Sequence, residues 1–418
     1  MKVLIADRFE KSGLEALARS GFEVSYQPDL DATSLGAALE ATEAVALVVR
    51  STRVTAEALN RSKSLALVVR AGAGVNTIDV AAASARGIFV ANCPGKNAQA
   101  VAELTFGLLL SIDRRIPEAV ADLRAGKWRK GEYSRAQGLA GRTLGVLGLG
   151  AIGVEVVRRA VAFGMPVVAW SRRFQGENRA LSPQELEALG LGDLARLGWT
   201  LDLAPDPMEV AKRSWALSVH VALGPETRKF LNWAVFEALP PGSIFLNTSR
   251  AEVVDELALE RAIRERGLRV GLDVFANEPS GSSGEFQDPV VALPGVYGTH
   301  HVGASTEQAQ EAIAAETVRI LEVFRSTGRA PNCVNLTKRA PAQHRLVVRH
   351  QNRPGVLAFV FDCLREAGIN VHETENVVFD GAEAALATID LATTPPPEVV
   401  ARMASGHEAI VEVRSFPR

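Results

Sequence analysis

Thr143-Leu144-Gly145-Val146-Leu147-Gly148-Leu149-Gly150-Ala151-Ile152-Gly153 is the stretch of sequence that decides the fold of this chain. It begins as a short apolar run of the kind that forms a buried strand, and residues 154–163 continue it at helical spacing. A strand that passes into a helix through Gly-x-Gly-x-x-Gly is the dinucleotide-binding fingerprint. The apolar Val167–Trp170 supplies the next strand, so the whole stretch predicts a parallel βαβ unit.

Each glycine of this fingerprint has its own role in binding a cofactor. Gly148 permits the tight turn, Gly150 lets the backbone approach a pyrophosphate, and Gly153 lets the helix pack closely on the strand. The first N–H groups of the helix, including those of Ala151 and Ile152, then hold the anion. A glycine-rich turn without a ligand is the alternative, but strand, helix and second strand in order favour a site for NAD(P)(H), with no metal.

The composition is that of an ordinary globular protein. At 418 residues the chain is too long for one hydrophobic core, so two or three domains are expected. A net charge of −2 and 22% charged residues give no reason to expect nucleic acid or a membrane as a partner. Three scattered cysteines predict neither a disulfide framework nor a metal cluster and fit a reducing cytoplasm. Residues 1–7 form a strand-like run that soon meets a charge, so no signal peptide is expected, and no apolar run approaches the ~20 residues that span a bilayer.

Strands and amphipathic segments alternate through the first 91 residues. Apolar runs at residues 3–6, 22–25, 45–49, 65–69 and 88–90 predict a parallel sheet with helices on both faces. Ligands of such sheets bind beyond the carboxyl ends of the strands. There the sequence places Arg50 and Ser51, and a turn that opens at Arg70 and continues through Gly72, Ala73 and Gly74. An arginine after a strand is often only the first solvated residue, but two arginines and a glycine-rich turn favour a substrate-binding role.

Three more apolar strands follow the fingerprint unit, at residues 214–221, 243–247 and 269–274. Their polar ends are predicted to face the cofactor: His220, Thr248, Ser249, Arg250 and Asp273. Asp273 is a candidate for contact with the nicotinamide amide or ring. A serine- and glycine-rich run at residues 280–284 predicts a flexible loop, and residues 174–207 give no readable pattern.

The residues that follow Val167–Trp170 bear on the choice between NAD and NADP. An NAD site normally has an acid there for the ribose 2′-hydroxyl, whereas an arginine accommodates a 2′-phosphate. Here Ser171, Arg172 and Arg173 follow without an acid, and two cations with a hydroxyl favour NADP(H). The alternative is that these residues are solvated and NAD is used without the usual acid.

These patterns predict an α/β protein with two doubly wound parallel-sheet domains and a smaller tail. The discontinuous substrate-binding domain comprises residues 1–92 and 288–330, and the Rossmann nucleotide-binding domain comprises residues 93–287. Residues 331–342 form a linker of Pro, Asn, Thr and Lys. Residues 343–418 follow the order βαββαβ of a ferredoxin-like sandwich.

Hydride exchange at a carbinol carbon needs a group that takes the hydroxyl proton, a cation that fixes the carboxylate, and a cofactor held face-on. Arg250 offers a bidentate fork for a carboxylate, and His301 acts as acid or base near neutral pH. Glu278 is suited to orient His301 and keep it protonated. Each residue alone has a plain alternative, a hydrogen-bonded loop histidine or a solvated loop carboxylate, and spacing does not decide between them.

Three late motifs resemble the signatures of the D-isomer-specific 2-hydroxyacid dehydrogenase family. They are residues 247–255 (Asn-Thr-Ser-Arg-Ala-Glu-Val-Val-Asp), 271–279 (Gly-Leu-Asp-Val-Phe-Ala-Asn-Glu-Pro) and 301–306 (His-Val-Gly-Ala-Ser-Thr), and residues 97–103 and 147–153 match as well. The resemblance implies that Arg250 binds the substrate carboxylate and that Glu278 and His301 form the proton-relay pair. It also implies that the substrate is faced by Arg50, Ser51, the turn from Arg70 to Gly74, and Asn97.

The implied reaction is NAD(P)-dependent interconversion of a D-2-hydroxy acid and its keto acid, with 3-phospho-D-glycerate and 3-phosphohydroxypyruvate as the favoured pair, in L-serine synthesis. A glyoxylate, hydroxypyruvate or other 2-hydroxyacid reductase is the alternative within the family. A dehydrogenase-fold regulator without turnover is the alternative outside it, and the complete set of Arg250, Glu278 and His301 argues against it. One departure is His300, where the family usually has Pro before the catalytic histidine, so the sequence leaves open which histidine acts.

The tail resembles an ACT domain, an amino-acid-sensing module. As a bare pattern, residues 350–357 and 368–371 indicate only a helix start and a helix stop. The resemblance implies that His350, Asn352 and Asn370 bind L-serine across a domain–domain interface, with tails paired in a homo-dimer or homo-tetramer. Amide side chains donate to a carboxylate and accept from an ammonium group, as an amino-acid effector requires.

Overall fold

The computed structural model describes residues 1–279, 284–337 and 341–418. These residues form two compact units, Met1–Val334 and Asn335–Arg418. Residues 280–283 of the predicted flexible loop and residues 338–340 of the predicted linker lie outside the described residues.

The first sheet has five parallel strands in the order β2-β1-β3-β4-β5. The predicted strands of this region are confirmed, since short apolar runs such as Ala46–Val49 are buried along their whole length. Two apolar clusters, one on each face, hold the helices against the sheet. The elements in chain order are β1 (Lys2–Ile5), α1 (Lys11–Arg19), β2 (Glu23–Tyr26), α2 (Leu35–Thr42), β3 (Ala46–Val49), α3 (Ala56–Arg61), β4 (Leu67–Arg70), α4 (Val80–Ala85) and β5 (Phe89–Asn92).

The second sheet has seven parallel strands in the order β12-β11-β10-β9-β6-β7-β8. A long helix, α5 (Ala98–Arg114), leads into it. The further elements are α6 (Ile116–Arg124), α7 (Lys130–Tyr133), β6 (Leu144–Leu147), α8 (Ala151–Ala162), β7 (Val167–Trp170), α9 (Pro183–Ala188), α10 (Gly192–Arg196), β8 (Asp202–Leu203), α11 (Pro207–Lys212), β9 (Ala216–Val219), α12 (Trp233–Ala238), β10 (Ile244–Asn247), α13 (Glu256–Arg266), β11 (Arg269–Leu272) and β12 (Val296–Gly298).

The strand order of the second sheet reverses beside β6. The chain runs outward from β6 through β7 to β8 and then returns to β9 on the other side of β6. Ligands of doubly wound sheets bind at such a reversal, outside the carboxyl ends of the strands. The fingerprint glycines therefore stand at the expected binding crevice.

The chain returns to the first sheet through α14 (Glu307–Thr327). This helix places Ile313, Ile320 and Leu321 in the apolar cluster beneath the first sheet. The predicted domain boundary at residue 288 falls before β12, which pairs with β11 in the second sheet. The polypeptide thus leaves the second sheet only after residue 298.

The tail unit is a four-stranded antiparallel sheet in the order β14-β15-β13-β16, and the predicted order βαββαβ is confirmed. Its elements are β13 (His344–Gln351), α15 (Val356–Glu366), β14 (Val371–Val378), β15 (Ala384–Leu391), α16 (Pro397–Ser405) and β16 (Ile410–Pro417). Its core alternates along β13 and β15, where Leu346, Val348, Ala387 and Ile389 are buried. None of the helices in the described residues is long and apolar enough to cross a membrane.

Candidate active site

The fingerprint turn has the geometry that a dinucleotide requires. Gly148 has φ +104°, and a Cβ there would lie 2.6 Å from the carbonyl oxygen of His220. A Cβ at Gly153 would lie 1.9 Å from the carbonyl oxygen of Gly148, so this position also needs glycine for helix and strand to pack. A Cβ at Gly150 would meet nothing within 4 Å, which leaves the turn open towards a ligand.

Space for an anion lies at the start of α8. Gly150 caps this helix, and the N–H groups of its first turn have no intrahelical acceptor. A cavity of about 590 Å³ opens there, with Gly95, Gln99, Gly150 and Ala151 among its lining residues. The residues present therefore fit a dinucleotide, with Gly150, Ala151 and Ile152 placed to hold its pyrophosphate.

The residues after β7 lack an acid, as predicted, but one of them is already paired. Ser171 Oγ accepts a hydrogen bond from the Arg173 N–H at 3.3 Å. Arg172 Nη1 forms an ion pair with Glu226 on the loop after β9. The Arg173 guanidinium lies over the Phe174 ring, 5.2 Å from its centroid. Sequence reasoning missed Glu226, because nothing local in residues 222–227 indicates that this loop reaches β7.

Three predicted cofactor residues form hydrogen bonds within the protein. His220 Nε2 lies 2.7 Å from Ser218 Oγ, while its Nδ1 is buried without a partner. Burial lowers the pKa of His220 to about 3, so the ring is neutral. Thr248 Oγ1 lies 3.0 Å from Thr105 Oγ1 on α5, and Ser249 Oγ donates to Asn247 Oδ1 at 2.8 Å. Of this group, His220 Nδ1 is the atom that a cofactor would satisfy.

Arg250 lies where the two sheets face each other. Its Nη1 donates to the carbonyl oxygen of Ser249 at 2.6 Å, and Asn247 Nδ2 donates to the Arg250 carbonyl oxygen at 2.9 Å. A Cβ on Gly74 would come within 2.3 Å of Arg250 Nη2, so the turn after β4 lies directly against this guanidinium. Burial lowers the pKa of Arg250, opposed by the charges of Glu252 and Glu278, and an arginine remains a cation at neutral pH.

Two further arginines approach Arg250 from the first sheet. The Arg70 guanidinium lies across Gly72, where a Cβ would come within 1.4 Å of Nη1, and Arg70 Nε is buried without a hydrogen-bond partner. Burial, together with the charges of Arg250 and Arg50, lowers the pKa of Arg70 to about 10. Three guanidinium groups that are close enough for the charges of two to lower the pKa of the third form a site for an anion. This convergence agrees with the predicted substrate-binding role of Arg50 and of the turn from Arg70 to Gly74.

Asp7 holds the loop that presents Arg50, and sequence reasoning missed it. Asp7 Oδ2 accepts from the backbone N–H of Arg50 at 2.7 Å, of Ser51 at 3.2 Å and of Thr52 at 3.1 Å, while Oδ1 accepts from Ser51 Oγ at 2.8 Å. Burial would raise the pKa of Asp7, but these hydrogen bonds outweigh it and lower the pKa. An acid directly after a buried strand was the available signal.

Asn residues occupy two further positions beside this loop and turn. Asn92 Nδ2 donates to the carbonyl oxygen of Ala73 at 2.5 Å and so fixes the turn after β4. Asn97, predicted to face the substrate, stands at the start of α5 with its Oδ1 buried and without a hydrogen-bond partner. An unsatisfied buried oxygen of this kind suits a ligand donor.

Glu278 and His301, for which the sequence predicts acid–base chemistry, lie within hydrogen-bond distance of each other. His301 Nδ1 lies 2.7 Å from Glu278 Oε2, and Glu278 Oε1 accepts from the Phe275 N–H at 2.8 Å. Burial would raise the pKa of Glu278, but the hydrogen bonds from His301 and Phe275 and the charge of Arg250 lower it. With Nδ1–H donated to Glu278, Nε2 is the ring nitrogen left for a substrate. His300 is exposed and has no carboxylate partner among the described residues, so the geometry favours His301.

Asp273 supports the loop that carries His301. Its Oδ1 accepts from the Val302 N–H at 2.9 Å and from Thr299 Oγ1 at 2.6 Å, and its Oδ2 accepts from the Gly303 N–H at 2.8 Å. The residue is 1% exposed. This carboxylate fixes the backbone on the C-terminal side of His301, whose own φ is +53°, and its contact with the nicotinamide stays a prediction.

The tail does not bring its three predicted effector residues together within one copy. His350 is 2% exposed, with Nδ1 2.8 Å from the Gln351 carbonyl oxygen and Nε2 3.2 Å from Asn376 Oδ1. Asn352 Nδ2 donates to the carbonyl oxygen of Ala382 at 3.0 Å, at one end of the sheet. Asn370 precedes β14 at the opposite end, where Val371 is opposite Leu391.

Comparison with known proteins agrees with this geometry. Residues 106–303 match the profile of the D-isomer specific 2-hydroxyacid dehydrogenase, NAD binding domain. The D-3-phosphoglycerate dehydrogenase of Methanocaldococcus jannaschii is 36% identical over 341 residues, which are 80% of this chain and 60% of that protein. The hydroxypyruvate reductase of Thermotoga maritima is 36% identical over 284 residues, which are 68% of this chain and 84% of that protein.

A solved structure shares the fold. The NADPH-dependent glyoxylate/hydroxypyruvate reductase of Sinorhizobium meliloti, in complex with NADP and malonate, is similar with a TM-score of 0.65 and 29% identity, over 81% of this chain and 99% of that one. The chain spans only about 60% of the length of the Methanocaldococcus protein. Among the described residues, no cluster of three or more His, Cys, Asp or Glu side chains is arranged to hold a metal ion.

Proposed function

The chain belongs to the D-isomer specific 2-hydroxyacid dehydrogenase family, and on that premise we propose that it transfers a hydride between NAD(P) and a D-2-hydroxy acid. The observation that carries this proposal is the arrangement of the cleft. Arg250 lies near the hydrogen-bonded pair of Glu278 and His301, and both lie on loops of the sheet that carries the fingerprint turn. A cation, an acid–base group and a dinucleotide turn are the three requirements of this reaction.

Each residue of the cleft has a distinct task in the proposed reaction. The nicotinamide, when bound, supplies or accepts the hydride. Arg250 binds the substrate carboxylate through its guanidinium fork and polarises the oxygen on the reacting carbon. His301 Nε2 takes the hydroxyl proton during oxidation and returns it during reduction. Glu278, held ionised, stabilises the imidazolium that forms in the first direction.

The proposed substrate is 3-phospho-D-glycerate, converted to 3-phosphohydroxypyruvate. Arg50 and Arg70 add positive charge beyond the one cation that a single carboxylate needs. Among the described residues, Arg70 Nε has no hydrogen-bond partner. A second anionic group on the substrate would satisfy them. A small monoanion such as glyoxylate or hydroxypyruvate is the second candidate, favoured by the similarity to a hydroxypyruvate reductase of which the match covers 84%.

Turnover with a panel of acids tests the proposal. Rates with 3-phosphohydroxypyruvate, hydroxypyruvate and glyoxylate are to be measured with NADH and with NADPH. We expect the highest kcat/KM for the phosphorylated acid, and Arg70→Gln should reduce that preference. Equal kcat/KM for phosphorylated and unphosphorylated acids would identify the second candidate, and no reduction of any of these 2-oxo acids would favour a regulator that only binds nucleotide.

We further propose that NADP(H) is the preferred cofactor. Ser171, Arg172 and Arg173 offer a hydroxyl and two cations after β7, and no acid follows β7 directly in the sequence. The similar reductase of Sinorhizobium meliloti is described as NADPH-dependent. A clear kinetic preference for NADH over NADPH in the same turnover assay would contradict this.

For the tail we propose an ACT-type role, in which L-serine binds between two copies. β14 is an edge strand, and seven of its eight residues are exposed. Two copies joined antiparallel along β14 in a homo-oligomer would bring Asn352 of one copy to the partner subunit's Asn370. Two such sites would form in each pair of tails, although a single tail has none.

A further inference from the structure

An ion pair at the end of β7 joins two loops that take no part in the proposed proton transfer. Arg172 Nη1 pairs with Glu226 Oε1 on the loop that follows β9. The second strand of a dinucleotide-binding unit ends at the ribose of the adenosine half. The pair therefore lies where a 2′-hydroxyl or a 2′-phosphate would be recognised.

Hydrogen bonds fix the backbone around Glu226, whereas the charged side chains of Arg172 and Glu226 stay accessible to solvent. Thr227 is 4% exposed, donates its hydroxyl proton to the Ala222 carbonyl oxygen at 2.7 Å, and accepts from the Gly224 N–H at 2.7 Å. The Phe230 and Trp170 rings, 5.2 Å apart, pack this loop against the last residue of β7. The side chains of Arg172 and Glu226 remain 64% and 53% exposed, so a ligand can reach both.

We propose that Glu226 moderates the preference for NADP(H) by competing with the 2′-phosphate of the cofactor for Arg172, an inference that rests on the proposed nicotinamide-dependent function. A phosphate monoester carries close to two negative charges at pH 7. Such a group binds Arg172 only after displacing Glu226, and the displaced carboxylate then repels it. A 2′-hydroxyl has no charge, so NADH binds without breaking the pair.

The pair also supplies a carboxylate near the end of β7, where no acid follows directly in the sequence. Glu226 has a second carboxylate oxygen that can accept a hydrogen bond from a ribose hydroxyl, the task usually given to an acid at the strand end. Arg173, which has no carboxylate partner among the described residues, remains available to a phosphate. The competition therefore lowers the affinity for the 2′-phosphate without abolishing it, and both cofactors stay usable.

Direct binding to the full-length protein tests this inference. The ligands are NADPH, NADH, adenosine 2′,5′-bisphosphate and adenosine 5′-monophosphate. Glu226→Gln should tighten binding of NADPH and of the bisphosphate roughly 3–10-fold and leave adenosine 5′-monophosphate unchanged, with a gain that shrinks as salt is raised. Arg172→Gln should weaken NADPH and the bisphosphate but not NADH.

Glu40→Gln is the matched control. It breaks a comparable surface pair, between Glu40 on α2 and Arg61 on α3, at 2.8 Å with side chains 59% and 51% exposed. It should change none of the four affinities. The ratio of NADPH to NADH affinity is the readout, because a general loss of structure would lower both affinities together.

Two results would overturn the inference. An unchanged NADPH-to-NADH ratio in Glu226→Gln shows that the carboxylate does not compete, and a loss of NADPH affinity shows that it holds Arg172 ready for phosphate instead. Failure of the proposed function has a different signature, since turnover of 2-hydroxy acids would be absent while these affinities remain measurable. Absent binding of every nucleotide would remove the premise and the inference together.

Discussion

Acid–base chemistry in this cleft depends on which of two adjacent histidines a carboxylate holds. His301 lies 2.7 Å from Glu278, so His301→Ala is expected to lower turnover roughly 10²–10⁴-fold. Nucleotide affinity and the melting temperature should stay near wild type, because the side chain is 45% exposed. Steady-state rates with His300→Ala as the matched control measure this. Near-normal turnover in His301→Ala with a large loss in His300→Ala would reverse the assignment.

A second single-residue effect concerns Asp7, which holds the Arg50 loop. Asp7→Asn is expected to lower the free energy of unfolding by about 1–3 kcal/mol, because buried backbone N–H groups lose a charged acceptor. The folded-state pKa of Asp7 lies below its ordinary 3.8. Its stabilisation is therefore complete above about pH 4 and is lost as the pH falls towards the folded-state pKa.

Denaturant unfolding of wild type and Asp7→Asn between pH 3 and pH 7 tests this dependence. The difference between the two proteins should be constant above about pH 4 and shrink below it. Asp29→Asn, which changes an exposed carboxylate of the same unit, is the control and should alter stability little. A difference that stays constant down to pH 3 would mean that these hydrogen bonds do not lower the pKa of Asp7 in the folded state.

Site residues that belong to a local sequence motif were predictable from the sequence. Site residues that are recognised only by a contact with a distant segment were not. Arg250 follows an apolar strand and His301 stands in a recognisable motif, and the structure places both in the cleft. Glu226 meets Arg172 across a separation of 54 residues, and Asp7 meets Arg50 across 43. Hydrogen bonds between such distant segments exist only once the strands are ordered side by side. The hydrogen bonds of Asp273 to residues 299, 302 and 303 were not predictable either, because the sequence does not show which backbone N–H groups a buried carboxylate meets.

Among the local elements, the turn after β4 lies directly against the Arg250 guanidinium. An alanine methyl at Gly74 would lie 2.3 Å from Arg250 Nη2, so Gly74→Ala should displace that guanidinium. We expect kcat/KM for the 2-hydroxy acid to fall roughly 10²-fold, since a misplacement of about 1 Å in a reacting group can cost that much. Stability should change little, because the end of a long side chain can move aside.

Gly131→Ala is the control for this turn. A Cβ at Gly131 would meet nothing within 4 Å, so the substitution adds the same methyl without a contact. Kinetics on both variants, with nucleotide binding measured in parallel, separate the two effects. Wild-type kcat/KM in Gly74→Ala would show that Arg250 does not need its observed position.

The predictability of whole elements followed the strength of their patterns. Fully apolar strands such as Ala46–Val49 were predicted close to their observed bounds, since burial on both faces leaves no polar positions. Residues 174–207 were not readable, and the structure shows why. They contain helices of only six and five residues, interrupted by turns, and a strand of two. Windows that short give neither helical nor strand periodicity.

On the scale of the larger unit, the cleft is completed by residues from both sheets. Arg50 follows β3 and Arg70 ends β4 in the first sheet, whereas Arg250 lies on the loop after β10 in the second. Burial and the charges of Arg250 and Arg50 together lower the pKa of Arg70. An anion bound among them would therefore be held by both sheets at once. That arrangement explains why substrate charge is expected to count for more than substrate size in the proposed reaction.

The last prediction concerns the tail, in which Asn352 and Asn370, the two amides predicted to bind L-serine, lie at opposite ends of one sheet. Millimolar L-serine is expected to slow turnover, with a coupling of ~1–3 kcal/mol between sites. Asn352→Ala and Asn370→Ala should each abolish inhibition and leave uninhibited turnover near wild type. If each site takes Asn352 from one copy and Asn370 from the other, a hetero-dimer of the two variants has one intact site. Co-expression of both variants should then restore part of the inhibition, which neither shows alone. If co-expression does not restore inhibition, the site lies within one copy. If L-serine changes neither the rate nor the melting temperature of the wild type, the tail is an assembly domain and not a sensor.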